Sequence, residues 1–224
     1  MSRSEDGGAE RSGGVGIGGV IAVVLTLVLV WLLLPGPITS SPLPAYTLAD
    51  QRNLGRQYEW LMTYKRMHGG ALPAEGGHRF VLAAWMAGVV EPTVENFDRY
   101  WTPGPARERD PVYEELRAKV VAGEPIWTTS SVVGSGDTHY AGRALAHLAT
   151  AEVRAGEAWM ANDNEGSWRL RDGSVNVLFA DSNVRAYDYS RLQAEFGVGP
   201  LDPEAPVVTF GASSPIGPCR RLAK

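Results

Sequence analysis

The chain has 224 residues and a net charge of −4, with 44% hydrophobic and 21% charged residues and one cysteine. That balance supplies no basic surface for nucleic acid or anionic lipid, and nothing in it demands more than one folded domain. The single thiol, Cys219, excludes an intrachain disulfide and any C-x-x-C metal site.

Residues 1–14 are rich in Gly, Ser and charge, with Arg3 and Arg11 set against Glu5, Asp6 and Glu10, and read as a disordered polar tail. Val15–Leu34 then runs without a charge, long enough as a helix to cross a hydrocarbon core of about 30 Å. Its Leu, Val and Ile residues favour insertion by about 4–8 kcal/mol in sum, and Trp31 suits an interfacial anchor. A cleaved secretory signal is the competing reading, with a cut within Thr39–Ser41 or after Ala45. Such signals have a shorter apolar core behind a basic segment, which the acidic tail is not. Gly14, Gly16 and Gly19 spell G-x-G-x-x-G, but no strand precedes them, so a nucleotide site is rejected. Gly14 and Gly18 have G-x-x-x-G spacing, a weak signal for helix pairing in the membrane. The two arginines before the span and the uncharged stretch from Ser12 to Ala49 put the N-terminus in the cytoplasm and the domain outside the cytoplasmic (inner) membrane.

Pro35, Pro37, Pro42 and Pro44 make residues 35–45 a semi-extended linker. A domain over 46–197 follows, then a Pro/Gly-rich tail over 198–224. Thr47-x-x-Asp50 resembles a capping box, and Leu54, Tyr58, Leu61 and Met62 recur as one buried helical stripe that stops at Gly69-Gly70. A second helix is expected over Phe80–Val90, ending before Pro92. Asp110-Pro111, a cap followed by proline at the first helical position, opens a third through Val121. Ile126–Val133 reads as a strand, Gly134–Asp137 as a turn, and Ala141–Glu157 is ambiguous between helix and strand. Val175–Ala180 and Val184–Asp188, separated by Asp181-Ser182-Asn183, form the best hairpin signal. Asp172-Gly173 supplies a turn before it, with Trp168 on the preceding strand. Ser190 is expected to cap a short helix to Phe196 that Gly197 ends, and Val207–Phe210 to add an edge strand.

This order resembles the bacterial pseudopilin and prepilin-like proteins, in particular the branch with a C-terminal DG-x-x-NVLFADG-x-V hairpin. The stretches that carry the likeness are Tyr64–Pro73, Phe80–Gly88, Tyr140–Arg143 and Asp172–Val184. The resemblance implies an α+β fold, an amphipathic helix packed on a small antiparallel sheet behind an N-terminal transmembrane helix. It further implies a non-catalytic structural or adaptor role linked to a type II secretion or type IV pilus-like apparatus. The chain departs from the family pattern in three places. The apolar run contains no Glu, the prolines interrupt the long helix used for fibre packing, and Ser182 stands where the hairpin glycine is usual. Leader processing, N-methylation and filament assembly therefore fall outside what the likeness implies.

Catalytic signatures are lacking: there is no H-E-x-x-H, G-x-S-x-G or P-loop. His68 and His78 flank a Gly-rich loop, Asp137 is close enough in sequence to pair with His139, and His147 completes the four histidines. Surface or loop histidines account for all of them. The alternative is an anchored extracytoplasmic enzyme or ligand-binding module that gathers His68, His78 or His139 with nearby acids in one concave pocket. Asp181, Asn183 and Asp188 are oxygen donors for Ca²⁺, which some pseudopilins hold near their C-terminal loops, but a calcium shell needs six to eight oxygens. Turn formation explains Asp181 and Asn183 as well. The acidic run Asn162–Glu165 has the same two readings. Trp159, Trp168, Tyr187 and Tyr189 read as core more than as a binding surface. Cys219 reads as a lone tail thiol beside Arg220 and Arg221.

Overall fold

The computed structural model describes residues 45–148, 156–162, 174–197 and 209–224. The apolar run Val15–Leu34, the proline linker up to Pro44, Trp168, Asp172-Gly173 and Asp163–Glu165 lie outside these. Among the described residues no helix is long and apolar enough to cross a membrane.

Helix α1 (Ala45–Met67) has 23 residues and a length of about 34 Å. Leu54 and Leu61 on its buried stripe are fully enclosed, and Gly69 and Gly70 take positive φ beyond its end. The helix is already formed at Ala45, so Thr47 and Asp50 lie inside it and turn to the sheet instead of capping it. Helix α2 (His78–Met86) ends earlier than expected. Gly88, left-handed at φ 69, returns its N–H to the Trp85 carbonyl and closes the helix before Val90.

Two short helices follow, α3 (Val94–Asp98) and α4 (Pro105–Glu108). Helix α5 (Pro111–Val121) is the one read from Asp110-Pro111, and the Asp110 carboxylate accepts from Val112 N at 2.8 Å and Tyr113 N at 3.2 Å. These helices and the loop after them enclose an aromatic block. Trp60 stacks on Tyr100 at 5.5 Å, Trp85 meets Trp127 edge-on at 5.2 Å, and Phe97 stacks on Tyr113 at 5.6 Å. Ile126–Val133 is not a strand. Trp127 holds φ 49 to enter the block, and Ser130–Val132 is a single 3-10 turn. Burial of its side chain decides that segment against its β-branched composition.

One antiparallel five-stranded sheet has the order β4-β3-β2-β1-β5, built from β1 (Tyr140–Arg143), β2 (Ala158–Asn162), β3 (Ser174–Phe179), β4 (Val184–Asp188) and β5 (Leu222–Ala223). The fold is therefore α+β. The expected hairpin is present with Asn176 opposite Ala186 and Leu178 opposite Val184, and α1 packs across β3 and β4. Its turn places Ser182 at φ 70, the left-handed region that glycine favours. Gly142 on β1 passes so close to α2 that a Cβ there would collide with the Gly77 carbonyl oxygen and lie 3.1 Å from Val81 Cγ2.

Both faces of the sheet are covered. Ser174, Asn176 and Leu178 turn toward α1, whereas Val175, Val177 and Phe179 belong to a second core with Tyr187. A register shift between Ala158 and Met160 lets Trp159 and Met160 both join the α1 side. The second core is closed by Leu192 of helix α6 (Tyr189–Phe196) and by Ile216, Cys219 and Leu222. Residues 209–224 are thus part of the domain and not a tail, because their apolar side chains complete a core that β3 leaves open. The edge beside β1 is formed by β5; of the expected strand Val207–Phe210, Thr209 and Phe210 are irregular and residues 207–208 lie outside the described residues. The cap of α6 is Asp188, which accepts from Arg191 N at 2.8 Å, while Ser190 lies inside the helix and donates its hydroxyl to Asp188 at 2.7 Å. Gly197, at φ 62, ends it as expected. Arg191 also lays its guanidinium on the Ala186 carbonyl of β4 at 3.2 Å.

Candidate functional site

The densest set of polar side chains inside the domain lies where the first turns of α1 meet the sheet. Asp50 follows from the helical stripe itself, since it precedes Leu54 by four residues and so faces the core, where it is 1% exposed. Tyr140 of β1 donates its hydroxyl to Asp50 Oδ1, and Asn176 of β3 donates Nδ2 to Asp50 Oδ2 at 2.6 Å. One turn earlier, the Thr47 and Ser174 hydroxyls bond at 2.9 Å. Asn162 Oδ1 of β2 accepts from Asn176 N at 2.8 Å, and Thr209 donates to the Asn162 carbonyl at 3.4 Å.

Three strands, one helix and the C-terminal segment are therefore joined through one carboxylate and its neighbours. The cavity beside them, bordered by Thr102 and Pro103, is about 10 Å³. That is the volume of about one water molecule, so the cluster has no room for a substrate. Its chemistry is that of a lock: hydrogen bonds from Tyr140 and Asn176 to the buried Asp50 side chain fix the helix on the sheet.

A second buried pair stands at the other end of β1. Arg143 donates Nη2 and Nε to Glu157 Oε1 at 2.9 and 3.2 Å, and Nη2 to the His147 carbonyl at 2.9 Å. Both side chains are nearly enclosed. The pair sets the start of β2 against β1 and offers no open face for a ligand.

The histidines of the alternative reading do not meet. His68 stacks on Tyr64 with ring centres 3.9 Å apart and donates Nδ1–H to the Tyr64 carbonyl. His78 approaches the Val133 carbonyl at 3.2 Å. His139 is buried, in contrast to the expected exposure, and its partner is Asp110 at 3.0 Å with Trp101 edge-on at 4.8 Å. Asp137 instead accepts from Gly134 N in its own turn. Burial pushes the Asp110 carboxyl up, yet the bond from His139 and the N–H groups of Tyr113 and Val112 together hold it below the ordinary carboxylate range.

The oxygen donors considered for calcium are likewise separated. Asn183 donates its backbone N and its Nδ2 to Asp181 at 3.2 and 2.9 Å, an Asx turn closing the hairpin, and the hydrogen bonds hold Asp181 below its usual range. Asp188 is at the far end of β4, committed to capping α6. Among the described residues no three His, Cys, Asp or Glu side chains are placed to hold a metal ion. Trp159 and Tyr187 are core residues, as read. Cys219 is a lone thiol as read, but it is fully buried in the second core and not in a tail, and burial pushes it up to about 12.

Sequence reading missed the Asp50–Tyr140–Asn176 set because its members are far apart along the chain. The available signal was the backward extension of the α1 stripe through Asp50 and Thr47. Comparison of the chain with protein-family models, with curated proteins and with solved structures finds no match.

Proposed function

We propose that the chain is a single-pass membrane protein, anchored through Val15–Leu34, whose pilin-like domain serves as a structural or adaptor component outside the cytoplasmic membrane. Its partners are the bilayer and other pilin-like or secretion-apparatus proteins, and it acts through contacts and not through catalysis. The observation that carries this reading is the seating of the 23-residue helix α1 across the β3–β4 hairpin, with the lock at Asp50 between them. Support also comes from Ser182, which takes positive φ at the position where the family hairpin carries glycine. The buried ionisable groups described above are occupied with holding elements together, which is what a scaffold requires of them.

The test is the intact mass of the native protein from carbonate-washed membranes. A full-length mass in the membrane pellet supports a permanent anchor and a non-polymerising adaptor. Loss of about 14–19 residues would point instead to leader processing and a filament subunit. A soluble form beginning near residue 40 would overturn the anchored reading.

A further inference from the structure

We infer that the small cavity beside Asp50 is a binding site for a single water molecule, which bridges Thr102 to Asn176 and belongs to the lock. The cavity is about 10 Å³, and the lock residues Asp50, Ser174 and Asn176 border it together with Thr102 and Pro103. That volume admits one water and nothing larger. Two of the bordering residues carry a buried polar atom that no protein group among the described residues satisfies. One is Thr102 Oγ1, in a residue 5% exposed, and the other is Asn176 Oδ1, in a residue 1% exposed. Native proteins leave few such atoms unmatched, because a hydroxyl or amide oxygen shut away from every partner is costly.

Both groups are held in place by their neighbours. Asn176 gives Nδ2 to the Asp50 side chain at 2.6 Å, which directs its Oδ1 elsewhere. Thr102 lies in the loop between α3 and α4, and the backbone just before it is tied to α1. Gln57 donates Nε2 to the Arg99 carbonyl at 2.7 Å, and Asn53 donates Nδ2 to the Trp101 carbonyl at 3.3 Å. Pro103, the next residue, has no N–H to offer the Asn176 oxygen. Asn176 Oδ1 lacks a donor, and the Thr102 hydroxyl lacks a partner of either kind. One water meets both needs, donating an O–H to the amide oxygen and sharing a hydrogen bond with the hydroxyl. Asp50 and Ser174, on the same lining, offer the third bond that a buried water ordinarily makes. The bridge carries the lock from the sheet to the helical block, since Thr102 directly follows Trp101 of that block. Nothing here depends on the anchor or on the pilin-like reading.

The test is a high-resolution crystal structure of the full-length chain in mild detergent, paired with thermal melts of the wild type and Thr102→Val. The structure should show one density peak about 2.7–3.2 Å from both Thr102 Oγ1 and Asn176 Oδ1. No peak in the cavity would overturn the proposal. So would a peak with six or more oxygens at about 2.3–2.6 Å, which is the shell of a calcium ion and not of a water. The variant gives an independent sign. Valine keeps the outline of threonine without the hydroxyl, so in a bridged site it takes a partner from the water and should lower the unfolding midpoint by about 1–6 °C. A hydroxyl that truly had no partner would be better replaced by a methyl, so a raised or unchanged midpoint in Thr102→Val would also overturn the bridge. If Thr102→Val does not fold, the wild-type structure decides.

Discussion

Replacing Tyr140 by Phe removes one atom from the centre of the α1–sheet contact and leaves its shape unchanged. The lost hydroxyl donates to Asp50 Oδ1, whose carboxylate also holds Asn176 Nδ2 at 2.6 Å. A hydrogen bond to a charged group contributes about 1.5–3 kcal/mol, and the acceptor that loses it stays buried. For a domain of this size each kcal/mol moves the thermal midpoint by about 2–4 °C, so Tyr140→Phe should lower it by about 3–12 °C. Circular dichroism of the purified chain in mild detergent reads that shift. The decisive comparison is a double-mutant cycle with Asp50→Asn, because a neutral amide accepts more weakly than a carboxylate. Tyr140→Phe should therefore cost measurably less in the Asp50→Asn background, a coupling of about 0.5–3 kcal/mol. Strict additivity of the two changes, or a Tyr140→Phe shift below about 1 °C, would refute the lock.

Three further expectations can be checked directly. Ser182→Gly should stabilise the domain by about 0.5–1 kcal/mol, since it relieves a left-handed non-glycine residue at φ 70; a lowered unfolding midpoint would contradict the turn geometry. Cys219 should resist alkylation at pH 8 in the folded chain and react on denaturation, because its thiol is enclosed and its pKa is pushed up to about 12; fast native labelling would put the C-terminal segment outside the core. The depressed Asp110 carboxyl contributes stability that is present above its unfolded pKa of about 3.9 and is lost as pH falls through the lower folded value. Between about pH 5 and pH 2 the melting temperature should accordingly drop more steeply in the wild type than in Asp110→Asn, and parallel curves would remove Asp110 from the account.

Features set by neighbouring residues were legible in the sequence. Asp110 and Pro111 define the start of α5 by local capping chemistry, Gly69-Gly70 and Gly197 mark helix ends, and the β3–β4 hairpin is written in two β-rich runs around Asp181-Ser182-Asn183. What escaped depends on residues distant along the chain. Trp127 overrides the strand-like composition around it because an aromatic block assembled from four other segments takes its ring. His139 is partnered by Asp110, 29 residues earlier, and not by the nearer Asp137. The burial of every β3 residue implies a second covering layer, but only the folded chain reveals that Ile216, Cys219 and Leu222 supply it. For the candidate site, the type of each side chain was plain and its company was not.

The guanidinium of Arg191 on the Ala186 carbonyl has a consequence for how copies of this protein meet. Phe179 N donates to the Asn183 carbonyl at the hairpin turn, and antiparallel alternation from there leaves Ala186 with its polar groups on the outer side of β4. A strand arriving at that edge would have to displace a charged side chain from the acceptor it needs. The outer edge of β4 is thereby guarded against strand-to-strand growth, and a neighbour that pairs there must first displace Arg191. Loss of Arg191 would unseal that border, and self-association through β4, with light scattering rising as concentration increases, is the behaviour that would follow.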